Sequence, residues 1–139
     1  MKKLIVILLG IFTLYSCDLD DTENVLITYE TMPIETISMP DTLQVNQEYN
    51  FDINYIRPTT CHSFEGYDYK KQGNERRIAV INKIVNEASN CEDIDQMITE
   101  MFTFKAQDTG TYTFKFWRGR DADGEAIYIV KEVPVVDEL

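Results

Sequence analysis

The sequence predicts an all-β domain, a β-sandwich of seven to nine strands. Three observations carry that expectation. Two stretches alternate strictly between apolar and polar residues. In Tyr49 to Ile56 the residues Tyr49, Phe51, Ile53 and Tyr55 share one face; in Thr111 to Trp117 the residues Tyr112, Phe114 and Phe116 do. That is the period of a strand with one buried side. Turn-forming residues recur at short intervals, at Pro40-Asp41, Asn46-Gln47, Gln72-Gly73-Asn74, Ala106 to Gly110 and Arg118 to Gly124, the spacing of a sandwich rather than of helix-connected sheets. No stretch holds a sustained helical period; Lys83 to Glu92 comes nearest, and Asn86, Ser89 and Asn90 weaken it.

The strands follow in order. Val25 to Thr31 is the first, ended or edged by Pro33, and Ile34 to Met39 continues in a second sheet. Thr42 to Val45 is short and suits an edge. Tyr49 to Ile56 is the clearest strand. Arg57 to Thr60 reads as a loop because of Pro58. Cys61 to Lys70, irregular at Gly66, and Arg76 to Val85 form a hairpin about Gln72-Gly73-Asn74. Val85 to Asp95 is polar and reads as a loop or one helical turn. Met101 to Lys105 and Thr111 to Trp117 form the next pair, and Glu125 to Val133 is the last strand, closed by Pro134. This places one domain at 25–135 and a flexible tail at 136–139.

Residues 1–16 read MKKLIVILLGIFTLYS. Two lysines precede an apolar run from Leu4 to Leu14, the layout of a secretory signal peptide. The run is shorter than the roughly 17–25 residues that span a bilayer. It ends in Leu14-Tyr15-Ser16-Cys17, which resembles the lipobox of a bacterial lipoprotein, with Tyr15 bulkier than usual at the variable position. The resemblance implies cleavage before Cys17, diacylglycerol on its sulfur and a fatty acyl chain such as palmitate on the new terminus. Two or more chains hold a protein stably to a membrane. Residues 17–24 then form an acidic tether, with Asp18, Asp20, Asp21 and Glu23. The chain resembles lipoproteins of gut and marine Bacteroidota, in which such a stretch marks surface export. The expected location is the outer membrane, facing the periplasm or the surface; an enterobacterial reading of the aspartate after the cysteine implies inner-membrane retention instead.

Asp108-Thr109-Gly110-Thr111-Tyr112 resembles the Asp-x-Gly-x-Tyr motif of immunoglobulin-like domains. There the aspartate and glycine shape the turn and the tyrosine hydroxyl ties back to backbone as a tyrosine corner. The resemblance implies an immunoglobulin-like sandwich, with Tyr112 carrying the corner. It also has departures. Phe114 stands where antibody domains place a cysteine, the 49–56 strand has none, and the single tryptophan, Trp117, is late in its strand. The expected centre is hydrocarbon.

With Cys17 lipidated, Cys61 and Cys91 remain, and an even pair in an exported protein suggests a disulfide. A nucleophilic Cys61-His62 pair is disfavoured, since adjacent strand residues point to opposite faces. His62 reads as a surface or rim residue. Asp121, Asp123 and Glu125 place oxygen ligands at alternate positions with Gly124, a weak calcium candidate. The distant bidentate acid is missing, and a tight solvated hairpin is the plainer reading; no metal or cofactor is expected otherwise.

The chain carries 24 acidic and 13 basic residues, net −11. Lys2 and Lys3 are the only leader charges, so the mature part holds about −13, which repels nucleic acid. No nucleotide-binding glycine loop, HExxH or GxSxG motif is present, and no enzyme is expected. The expected role is a membrane-anchored cell-envelope lipoprotein acting as a binding or structural module towards another envelope protein or a glycan. An accessory glycan-binding domain of an uptake system and an envelope hydrolase are the alternatives. Tyr67, Tyr69 and Trp117 are the candidate binding aromatics, provided they gather in solvent.

Overall fold

The computed structural model describes residues 25–86 and 90–139. The leader, Cys17, the tether through residue 24 and loop residues 87–89 lie outside them. The described chain is all-β: nine strands in two packed sheets, a β-sandwich. The smaller sheet is antiparallel and three-stranded. It holds β2 (Ile34–Ser38), β4 (Glu48–Thr59) and β7 (Asp93–Lys105), in the order β2-β4-β7. The larger contains β1 (Leu26–Met32), β3 (Leu43–Gln44), β5 (His62–Gln72), β6 (Glu75–Asn86), β8 (Gly110–Arg120) and β9 (Ala126–Val136).

β6 is the hub of the larger sheet. One edge pairs antiparallel with β5 from Glu75 to Ile84. The other is divided: β8 runs parallel to residues 75–78, and β1 runs antiparallel to residues 80–86. β8 pairs antiparallel with β9, and the short β3 adds parallel to the end of β9. Pro33 sits where the chain leaves β1 and crosses to β2 in the other sheet, a position where no ladder donor is needed.

The alternation read from the sequence sets the core. Phe51, Ile53 and Tyr55 of β4 face Tyr112, Phe114 and Phe116 of β8 across the sandwich, all nearly inaccessible. Phe114 stands edge-on to Phe51 and Phe104, with centroids 5.3 and 5.0 Å apart, the geometry favoured by aromatic quadrupoles. The rings around Phe114 therefore fill the place where antibody domains put a disulfide. Cys61 and Cys91 are bonded, with Cα atoms 5.3 Å apart and a sequence separation of 30. The bond joins the β4–β5 turn to the chain just before β7. Two hydrogen bonds between Thr60 and Glu92 lie alongside it.

Three stretches differ from the sequence expectation. β4 continues through Pro58 to Thr59, because a register shift between Arg57 and Thr59 leaves the proline out of the ladder. β7 begins at Asp93, well before Met101, since β4 offers it a full-length partner that its own polar outer face did not reveal. β9 runs past Pro134, whose register partner is Thr111, and ends at Val136.

Candidate functional site

The outer face of the larger sheet carries a groove of about 220 Å³. Trp117 of β8 and Tyr128 of β9 are cross-strand partners and stand side by side in it, both half-buried. Directly opposed residues on antiparallel strands project to the same face. Ala79 of β6 and Ala126 of β9 also line the groove. Small side chains at these two positions, among longer neighbours, leave the depression open. A β-bulge shapes its far end. The register slips between Trp117 and Gly119, and Gly119 has φ of +117°, which an L side chain rarely adopts. The slip brings Arg120 onto the face of Trp117 instead of its opposite, and both line the groove.

Charged groups ring the aromatics. Lys70 lies 3.5 Å from Asp68. Arg77 donates to Glu75 at 2.6 Å, and Lys115 reaches the other oxygen of the same carboxylate at 2.7 Å. These two cations, Lys115 before Arg77, hold the Glu75 carboxyl below its ordinary range. Arg120 donates to the carbonyl of Gly124 at 2.8 Å. The groove thus has three cations, Lys70, Arg77 and Arg120, against one acid, Asp68, in a chain that is acidic as a whole.

The candidate aromatics do not gather. Trp117 is on the outer face, whereas Tyr67 and Tyr69 of β5 face the smaller sheet and pack on Phe102, with centroids 5.2 and 5.5 Å away. Tyr67 is half-buried, and its hydroxyl has no hydrogen-bond partner. Burial, then the nearby Glu100 carboxylate, push its pKa well above the tyrosine range. Tyr69 is 42% exposed at the sheet margin.

Asp108 and Gly110 flank the turn into β8, and Tyr112 is buried with the Arg76 guanidinium 4.8 Å above its ring. A tie of the tyrosine-corner kind occurs at Tyr49, whose hydroxyl accepts from the backbone N–H of Gln44 at 3.0 Å. In the 121–125 turn, one Asp121 carboxylate oxygen accepts from the N–H groups of both Asp123 and Glu125 at 2.9 Å. Asp121 therefore acts as a turn staple. Among the described residues no three His, Cys, Asp or Glu side chains are placed to hold a metal ion.

Three buried polar residues were missed as such. His62, expected at the surface or rim, is 8% exposed. Nδ1 is 2.8 Å from the Thr59 hydroxyl and Nε2 is 3.2 Å from the Glu30 carboxylate. The carboxylate only accepts, so Nε2–H donates to it, and the ring fastens β1, β4 and β5 together. Asn82 is fully buried; its amide lies close to the Tyr55 hydroxyl but without the geometry of a hydrogen bond. Arg76 is 4% exposed on the inner face of β6. A signal for the last two existed: Arg76, Ile78, Val80 and Asn82 are in phase, so the apolar pair predicts inward positions for both polar ones.

Comparison of the chain with protein-family models, with curated proteins and with solved structures returned no match.

Proposed function

We propose that the chain is a cell-envelope lipoprotein whose β-sandwich is a non-catalytic binding module, with the Trp117–Tyr128 groove as its ligand site and a saccharide as the ligand class. The observation that carries this reading is the groove itself. Two aromatic side chains stand together on an exposed sheet face over alanines, with hydrogen-bonding charges at the rim. Aromatic faces stack on the apolar faces of sugar rings, and polar rim groups engage the hydroxyls. The leader and Cys17 supply the tether to the outer membrane. Among the described residues Asp68 is the one carboxylate that lines the groove, and it is beside Lys70, so these residues do not assemble the paired acids of glycoside hydrolysis there.

An immunoglobulin-like relationship is supported by the order β2-β4-β7 and by the β9–β8 hairpin. The parallel β6–β8 pair departs from the pattern, in which β5, the first strand of the β5–β6 hairpin, would lie beside β8. A protein partner is the second reading, favoured by Leu26, Ile27 and Tyr29 of β1, which are 60%, 47% and 63% exposed.

The test is affinity electrophoresis through gels containing envelope polysaccharides. Wild-type protein is retarded by its ligand, whereas Trp117→Ala and the groove-filling Ala79→Leu migrate freely while keeping the wild-type circular dichroism spectrum. Equal retardation of all three proteins would remove the groove from the account. Fractionation of Cys17→Ser, expected to leave the membrane pellet, tests the tether separately.

A further inference from the structure

We propose a second site, independent of the groove: a pocket for a small oxyanion between the sheets, with Arg76 in its wall and Lys71 and Lys105 beside it. The pocket encloses about 180 Å³ and is also lined by Tyr69, Gln107 and Tyr112. It opens beside the inner face of β6, whereas the groove lies on the outer face.

Arg76 is the reason. Its side chain is almost wholly buried, yet among the described residues no carboxylate approaches its guanidinium within 4.0 Å. Both Nη1 hydrogens are engaged, donating to the carbonyls of Gly73 at 2.6 Å and Glu75 at 2.9 Å. Among the described residues the Nε–H meets no acceptor; the Tyr69 hydroxyl lies close to the guanidinium but without the geometry of a hydrogen bond. The rings of Tyr112 and Phe104 lie 4.8 and 5.9 Å from the guanidinium carbon and offset part of the cost of desolvating the charge. They supply neither an anion nor an acceptor for the remaining N–H. A buried cation left with an open donor is costly unless something completes it.

The surroundings favour an anion. Lys71 and Lys105 add two cations, and among the described residues no acid lines the pocket, an exception in a chain of net −11. Tyr69 and Gln107 bring neutral donors; burial raises the tyrosine's pKa, so its hydroxyl stays protonated. Among the described residues no hydrogen bond engages Nη2, and this nitrogen suits an oxygen of a carboxylate, sulfate or phosphate group; Nε is closed to solvent and senses the bound charge through the same guanidinium.

The test follows the Arg76 Nε–H resonance in ¹⁵N-labelled full-length protein. Sodium acetate, sulfate and phosphate are titrated at constant ionic strength against sodium chloride. A saturable shift with at least one oxyanion and none with chloride is expected, and the responding salt tells a carboxylate ligand from a tetrahedral one. Lys71→Ala and Lys105→Ala, both surface changes, weaken the affinity roughly fivefold each. A shift that never saturates, that chloride reproduces, or whose midpoint is the same in the double variant overturns the site. Retardation by polysaccharide is unaffected by these two variants, so the groove and this pocket fail or stand separately.

Discussion

Arg76 and Arg77 are neighbours on β6 and meet opposite fates. Arg77 is exposed on the outer face and closes on Glu75. Arg76 turns inward beneath aromatic rings and finds backbone carbonyls instead of a carboxylate. The same contrast separates Phe116, fully buried, from Trp117, half-buried over the groove. The strand period sorts side chains by face, and the face then decides what a residue is for. Inner positions hold the sandwich together, with Arg76 beside its pocket the exception; outer positions on the larger sheet are free to contact something else.

The sharpest way to break this comparison is to truncate one residue on each face. Phe114→Ala opens a cavity among Phe51, Phe104 and Phe116 and should cost about 3–5 kcal/mol in urea unfolding. Trp117→Ala should cost less than about 1 kcal/mol, because the outer face has no layer above it. Similar losses from both would mean that the two faces are not energetically distinct.

A cut that spares both faces comes next. Replacing Cys61 and Cys91 together by serine frees a thirty-residue loop, and loop entropy sets the expected loss at about 3–4 kcal/mol. Polysaccharide retardation should persist under conditions where the variant remains folded, since neither cysteine lines the groove.

The arginines give a smaller pair of effects. Arg76→Ala removes two carbonyl bonds and the stacking over Tyr112, and should destabilise by about 1–3 kcal/mol. Arg77→Ala removes one exposed ion pair and should leave stability nearly unchanged. Thermal denaturation of the two variants side by side decides whether the inward arginine is the structural one.

The smallest effect depends on pH. The Glu75 carboxyl is held below its ordinary range by Lys115 and Arg77. A carboxyl with a depressed folded pKa stabilises above its unfolded pKa, and that contribution is lost as pH falls through the folded value. The melting temperature of Glu75→Gln should therefore lie slightly below wild type at about pH 7 and converge with it once acid has protonated the folded carboxyl. A gap that widened in acid would contradict the pairing.

Much of the scaffold was legible because one physical rule governs it. Strict alternation placed Phe51, Ile53, Tyr55, Tyr112, Phe114 and Phe116 in the core, and an even count of exported cysteines paired Cys61 with Cys91. The sites were less legible because they depend on which strands meet. Trp117 gains its meaning from Tyr128, whose position opposite it follows only once the bulge at Arg118 is known. Tyr67 and Tyr69 looked like partners for Trp117 because strand periodicity says nothing about which face of β5 matches which face of β8. His62 is covered in part by β1, whose Glu30 is thirty-two residues away, a contact that no local pattern encodes. Pro58 and Pro134 misled for a related reason: a bulge in one case, and pairing on one side only in the other, removed the need for an N–H.

Trp117 is the chain's single tryptophan, so its fluorescence reports on the groove without any label. Titrating wild type and Ala79→Leu with oligosaccharides from the envelope polysaccharide that retards the protein tests the central claim most directly. The account predicts a saturable change in tryptophan emission for wild type and none for Ala79→Leu. Binding detected by calorimetry with the emission of Trp117 unchanged would place the ligand elsewhere and contradict it.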